Sequence, residues 1–325
     1  MKKLSDGPFS ILVNQYLQLR RSLGRILKDA EYTLNKFNLY LARYFPDAKT
    51  VKKPMIVSYL QTAKHLHAST LYLRFIHLRQ FCRFLFQLNP DNYVPESRLI
   101  KRGPTIRLPH IYTTEEAMKL IRLARMLTPR GSLRPHTYST LISLLWVSGL
   151  RIREALKLNL EDVDMDNAVL HIRESKFFKS RLVPLTLSSA AALETYRQLR
   201  AEHGYDQRPS APFFINVHSK RCSYSGVEST FIVLIRQSGI LTAQGNTPRL
   251  HDFRHAFATR YLNEVYQQGK DPNASLPLLA TYLGHVHIRD TQVYLHPAID
   301  LLATAGKKFY EHVHKSDNPL KGGRP

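Results

Sequence analysis

The chain has 325 residues, 43% of them hydrophobic and 10% aromatic, enough for one or two packed cores and too apolar for a wholly disordered chain. Lys and Arg number 47 against 25 Asp and Glu, a formal charge of +22 with His neutral, and such a field draws polyanions, either nucleic acid or an anionic membrane surface. Two distant cysteines, Cys82 and Cys222, match no zinc or redox spacing, which argues against a disulfide scaffold and for a reducing, cytoplasmic setting.

Apolar runs reach about eight residues, against about 18 for a bilayer span, and Met1-Lys2-Lys3-Leu4-Ser5-Asp6 opens no secretory pattern. The expectation is a protein with no membrane partner.

Four helices are expected in the first hundred residues. Tyr16, Leu19, Leu23 and Ile26 recur at helical spacing, as do Leu34, Phe37, Leu41 and Tyr44. A shorter helix starts at Pro54 and buries Ile56, Tyr59 and Leu60. The fourth follows the caps Ser69 and Thr70 and buries Leu71, Phe75, Leu78, Cys82 and Leu85. This small unit is the more basic part: residues 1–102 hold 18 Lys and Arg against 6 Asp and Glu. Arg74, Arg79 and Arg83 on the fourth helix are candidate phosphate contacts, with a solvated basic face as the plainer alternative.

From about residue 89, Pro90, Pro95, Pro104 and Pro109 interrupt regular structure, with Lys101, Arg102 and Arg107 interspersed. We read a basic, extended linker that either tracks nucleic acid or is a spacer. The domains expected are 1–103 and 104–325.

Helical patterns resume at Thr113-Thr114-Glu115-Glu116, ahead of Ala117, Leu120, Ile121 and Ala124. An apolar helix from Tyr138 to Val147 runs into Ser148-Gly149-Leu150, and Val169 to Ile172 with Arg181 to Leu187 read as two strands around a turn. The rest is mainly helical.

Five segments of this second part place polar residues where packing alone does not explain them. In Ser148-Gly149-Leu150-Arg151-Ile152-Arg153-Glu154, Arg151 starts a helix, where free amides already favour anions and a guanidinium can fork two phosphate oxygens. Taken alone, a surface pair with Glu154 is the favoured explanation. Glu174 to Arg181 forms a hairpin tip with Lys176 and Lys179, and a tip lysine either solubilises or, beside other cations, gives up a proton. Thr247 to His255 puts His251 in a first helical turn with Arg254 three residues on, a pair suited to an anionic oxygen rather than to a metal. Leu283-Gly284-His285 leaves His285 at a helix stop, and Asp290 caps a helix whose first turn holds Tyr294. Most tyrosines merely pack. Beside two arginines and one or two histidines, a phenolate is stabilised and can attack phosphorus.

In this order and spacing, the set resembles the tyrosine recombinase (phage integrase) family. The matching segments are Ser-Gly-Leu-Arg-Ile-Arg-Glu-Ala-Leu (148–156), Ser-Lys-Phe-Phe-Lys-Ser-Arg-Leu-Val-Pro-Leu (175–185), His-Asp-Phe-Arg-His (251–255), Leu-Gly-His (283–285) and Thr-Gln-Val-Tyr (291–294).

The resemblance implies a mainly α fold with a small β-sheet: an N-terminal four-helix core-binding (SAM-like) domain plus a catalytic domain, forming a C-shaped DNA clamp. It implies a site-specific recombinase that cleaves and rejoins duplex DNA through a 3′-phosphotyrosine. The outcome would be integration, excision or transposition of a mobile element, or replicon resolution.

Residue by residue, Arg151, His251, Arg254 and His285 would surround the scissile phosphate and Tyr294 would attack it. Lys176 would protonate the leaving 5′ oxygen, and Glu154 would support Arg151. Phe178 stands where many relatives have glycine, which keeps Lys179 open as the acid.

No cofactor or metal is implied. The implied partners are double-stranded DNA with specific recombination sites, a homotetramer in the synapse, and accessory recombinases or DNA-bending proteins. A C-terminal helix carrying Ile299, Leu302, Phe309 and Val313 would dock on a neighbouring protomer or on its own domain. The competing readings are a type IB topoisomerase-like relaxing enzyme and a non-catalytic DNA-binding regulator.

Overall fold

The computed structural model describes residues 7–25, 27–103, 108–173, 180–285, 287–295 and 306. The chain divides into two compact units, 1–107 and 108–325.

The first unit holds α1 (Ser10–Ser22), α2 (Lys28–Tyr44), α3 (Lys53–Thr62) and α4 (Ala68–Leu88) around one core. α3 buries Ile56, Tyr59 and Leu60, and α4 buries Phe75, Leu78, Cys82 and Leu85, while Leu71 is only half-buried. The α1 stripe differs from expectation. Its buried face is Phe9, Val13, Tyr16 and Leu17, and Leu19 and Leu23 stand 51% and 68% exposed. The helix stops at Ser22 and Gly24 turns left-handed (φ 74°), so the apolar spacing has no helix to continue on; Ile26 lies outside the described residues. Tyr44 is also exposed, at the last turn of α2 against Tyr40. The α4 cap is His67, two residues ahead of the expected Ser69 and three ahead of Thr70, its ring nitrogen accepting from Ser69 N.

The stretch from residue 89 is not an extended linker. Buried Asn92 accepts from Val51 N (2.8 Å) and donates to Asn89 O (2.9 Å), Tyr93 N donates to Val51 O, and Leu99 and Ile100 lie on the first unit's core. A side-chain amide replacing backbone partners ties an irregular segment down. Arg79 is drawn into this packing through Nε to Pro95 O at 2.8 Å, and Arg74 lies over the Tyr32 ring. Arg83, Lys101 and Arg102 are exposed, and Arg107 lies outside the described residues.

The second unit contains α5 (Thr114–Arg125), α6 (Arg134–Ser148), α7 (Ile152–Lys157), a 3-10 turn at Leu160–Asp162, and the strands β1 (Val163–Asp164), β2 (Val169–Ile172) and β3 (Arg181–Pro184). α8 (Leu187–Glu202), α9 (Tyr224–Ser238), α10 (Asp252–Gln267), α11 (Pro272–Leu283) and α12 (Arg289–Gln292) follow. The sheet is antiparallel in the order β1-β2-β3, with Val163 opposite Leu170 and Leu170 opposite Val183. β1 was not expected, because two residues are too few for a period-two pattern.

α5 opens with the expected box, Thr113 Oγ1 accepting from Glu116 N while Glu116 accepts from Thr113 N. Its buried face, with that of α6, fills the main core. A second, smaller cluster joins Ala258 and Leu262 of α10 to Leu276, Leu279 and Leu283 of α11 and to Tyr294. Three of the described helices stop at left-handed glycines, Gly149 after α6 (φ 58°), Gly239 after α9 (φ 69°) and Gly284 after α11 (φ 69°). A Cβ on Gly149 would fall 2.6 Å from the Phe257 ring, so both the turn and the close approach require glycine.

Among the described residues, no helix is long and apolar enough to cross a membrane.

Candidate active site

The site is assembled where the ends of α6 and α11 meet the starts of α7 and α10. Arg151 caps α7. Glu154, three residues on, accepts Arg151's own N–H at 3.1 Å and its Nη1 at 2.9 Å. The Arg151 guanidinium also lies 3.5 Å from the carbonyls of Leu283 and Gly284, and its side chain keeps 24% exposure.

Arg254, in the first turn of α10, is 1% exposed. It donates to Gly149 O (3.0 Å) and Leu283 O (2.6 Å) and lies within electrostatic reach of Tyr294. One guanidinium thus ties the glycine-stopped ends of α6 and α11 together beside the phenol. Carbonyls at helix C-termini carry partial negative charge, which favours cations there. Burial, with the repulsion of Arg151, lowers the Arg254 pKa to about 10, so it remains a cation at neutral pH.

Tyr294 is 2% exposed, within the second cluster. Its ring meets His255 edge-on at 5.2 Å and lies nearly parallel to His285 at 5.9 Å, and His255 in turn meets His251 at 5.3 Å. His285 is oriented by Nδ1 against Thr291 Oγ1 at 2.7 Å. His251 stays exposed at the N-terminus of α10, whose first turn is fixed by Arg249 paired to buried Asp252 at 2.8 Å. Tyr294 lies just beyond the short α12, and Asp290 falls inside that helix rather than at its cap, which is Ile288.

The three imidazoles share one electrostatic situation. Loss of hydration, then the nearby guanidinium groups for His251 and His285, and His251 for His255, hold each pKa at about 4. All three are neutral at pH 7, able to accept a proton as well as to donate one. In the unfolded chain their ordinary value is near 6.5, so between about pH 6.5 and 4 the unfolded state binds more protons than the folded state. Stability is full above the unfolded value and falls as pH drops through this window. Glu154 acts in the same direction: burial raises its pKa, but Arg181 and Arg151 outweigh burial and hold it low, so its contribution is lost at still more acid pH. Melting temperature should therefore fall steadily from pH 7 to 4.5, and a flat profile would contradict the three neutral rings.

Of the residues expected from sequence, Arg151, His251, Arg254, His285 and Tyr294 occupy this one corner. Lys176 and Lys179 lie outside the described residues. Three partners were not singled out: Arg181, His255 and Thr291. His255 is one helical turn from His251 and so shares its face. Arg181 shares a strand face with buried Val183, and an arginine on such a face calls for a carboxylate. Thr291 is fully buried but carries no signal that separates it from a packing threonine. Among the described residues, no three His, Cys, Asp or Glu side chains converge as a metal cage would require.

The family model described as "Phage integrase family" matches residues 113–300. The integrase/recombinase-like protein y4rB of Sinorhizobium fredii (strain NBRC 101917 / NGR234) is 37% identical over 305 residues, 93% of this chain and 96% of that one. The chain belongs to the phage integrase family. This tyrosine recombinase, an enzyme that cleaves and rejoins DNA at specific sites, is also 27% identical to "Tyrosine recombinase XerC" of Thermodesulfovibrio yellowstonii (strain ATCC 51303 / DSM 11347 / YP87), over 90% of this chain and 92% of that one. Its fold matches a crystal structure of XerH site-specific recombinase bound to palindromic difH substrate in a post-cleavage complex. The TM-score is 0.65 at 20% identity, covering 87% of this chain and 80% of that one.

Proposed function

We propose that Tyr294 is the nucleophile and that Arg151, Arg254, His251 and His285 form the phosphate pocket. The observation that carries this is the Arg254 guanidinium, buried within electrostatic reach of the phenol and bonded at once to the two helix ends. The phenol oxygen forms a bond to phosphorus as the bond from phosphorus to the 5′ oxygen breaks. The phenolic proton goes to a neutral imidazole, the role that the family resemblance gives His251, and the leaving oxygen takes a proton from Lys176 or, failing that, Lys179. Two fixed guanidiniums neutralise charge that builds on the non-bridging oxygens, and such preorganised charge is the main requirement of phosphoryl transfer. The phosphotyrosine keeps the energy of the broken diester, so a 5′ hydroxyl from a second duplex reseals it without metal or nucleotide.

Exchange between two duplexes needs four cuts. One tyrosine per protomer therefore implies four protomers in the synapse, and the DNA acted on is the end or attachment site of a mobile element or a replicon-resolution site. Arg74, Arg83, Lys101 and Arg102 supply backbone contacts, with Arg79 limited by its bond to Pro95. A nucleophile 2% exposed must be uncovered before phosphorus reaches it, and Arg151, the more open arginine, meets the phosphate first.

The deciding experiment is denaturant trapping of the protein on DNA of its source, followed by sequencing of what is covalently attached. Recovery of one recurrent site joined through Tyr294 is expected. Adducts scattered without preference, with supercoil relaxation and no two-site exchange, would show a relaxing enzyme. Site affinity should also fall linearly with the logarithm of salt concentration, as counterions leave the duplex, and an unchanged affinity from about 50 to 200 mM salt would contradict backbone contacts.

A further inference from the structure

Arg181 has no role in the chemistry above, yet its side chain is only 11% exposed beside the phosphate pocket. Its guanidinium makes three bonds. Nη1 and Nη2 grip Glu154 from one side, at 3.2 Å to Oε1 and 3.0 Å to Oε2, while Nε donates to Tyr282 O at 2.8 Å. The same group lies flat on the turn that follows. A Cβ on Gly284 would come within 2.9 Å of Arg181 Nη1 and 3.1 Å of Cζ, so this close approach depends on glycine.

These contacts place one carboxylate between two guanidiniums. Glu154 Oε1 receives Arg151 Nη1 at 2.9 Å as well as Arg181 Nη1. A single negative charge cannot cancel both cations. Because Arg181 holds both oxygens of Glu154, the carboxylate is kept from closing as a fork on Arg151, the arrangement that would be strongest for an isolated pair. The bond to Tyr282 O fixes the end of α11 in the same stroke, one residue before Leu283 O, which takes Arg254, and three before His285.

We infer that Arg181 is a positioning residue for the recombination chemistry: by taking Glu154 in a bidentate grip and pinning the end of α11, it leaves Arg151 a net cation aimed at the scissile phosphate. This rests on the assignment of Arg151 to the phosphate pocket. Arg181 itself touches no substrate atom in this account. Its removal should act on the rate of cleavage through Arg151 and hardly at all on DNA affinity, which many backbone contacts supply.

The test uses the full chain and a nicked suicide duplex carrying the site recovered by covalent trapping, with wild type, Arg151→Ala, Arg181→Ala, Arg181→Lys and the pair Arg181→Ala with Glu154→Gln. For Arg181→Ala, covalent adduct should form about 100-fold more slowly at saturating DNA, with dissociation constants within about 3-fold of wild type. Arg181→Lys restores a charge but not the fork, and should lie between the two. The informative variant is the pair. Glu154→Gln removes the charge that would otherwise collapse on Arg151, so it should recover about 10-fold of the lost rate. A merely structural Arg181 predicts the opposite, since a second buried substitution would slow the enzyme further.

Cleavage by Arg181→Ala within about 3-fold of wild type, or a pair no faster than Arg181→Ala, overturns the inference. Should Arg181→Ala not fold, Arg181→Lys without and with Glu154→Gln is judged by the same ratio. If Arg151→Ala cleaves like wild type, the phosphate-pocket assignment fails and this inference with it, whereas loss in Arg151→Ala with none in Arg181→Ala overturns this inference alone.

Discussion

Tyr294→Phe should bind its DNA site with an affinity within about 3-fold of wild type and yet form covalent adduct at least about 10⁴-fold more slowly, the scale seen when a nucleophile acting with fixed partners is removed. The separation of binding from chemistry follows from what the substitution leaves in place. Phenylalanine keeps the ring that packs with Leu276, Leu279 and Leu283 and contacts His255 and His285. Only the hydroxyl goes, and with it its electrostatic interaction with Arg254. Arg254 keeps its two carbonyl partners, so the cation stays where it was. The measurement is denaturing gel analysis of adduct on a nicked suicide substrate beside a binding titration. Adduct formation at more than a few per cent of the wild-type rate would move the nucleophile to another residue, and a collapse of binding would mean that the ring, not the hydroxyl, was lost.

How much of this was legible in the sequence depends on the range of the interaction. Local signals served well: the Thr113 box, the Pro54 start and the glycine stops at 149 and 284 are set by a few neighbouring residues, and each element formed at that place. The α1 stripe failed because periodicity continued beyond the point where the chain stops being helical. Residues 89–103 read as a linker because prolines exclude regular structure but not packing; what holds them is Asn92 reaching Val51, 41 residues away. The site followed the same rule. The five segments could be placed in order from sequence, whereas their convergence depends on pairs such as Arg254 with Gly149 and Arg151 with Leu283, separated by 105 and 132 residues. Arg181 escaped notice for that reason, its partners Glu154 and Tyr282 lying 27 and 101 residues away.

Arg254→Lys should be nearly as damaging as loss of the nucleophile, although it keeps the charge. The guanidinium presents five N–H donors in a planar fork, and here two nitrogens serve carbonyls of different helix ends beside Tyr294. An ammonium on a shorter, unforked stem reaches one such carbonyl at a time. The other is left buried without a donor, at about 1 to 3 kcal/mol, and the site is 1% exposed, so water has little access to replace it. Burial also bears more heavily on lysine, which neutralises more readily than arginine when desolvated. Arg151 nearby already lowers the Arg254 pKa, and the same repulsion would push an ammonium further toward the uncharged form at neutral pH. We expect cleavage slowed by roughly 10³-fold at pH 7, consistent with loss of a preorganised charge contact, and a melting temperature below wild type. Because a protonated lysine would recover part of the function, the deficit should shrink as pH is lowered from 8 to 6.5, above the window in which the histidines begin to cost stability. A pH-independent deficit would assign the loss to geometry alone, and activity within about 10-fold of wild type would remove Arg254 from the phosphate pocket.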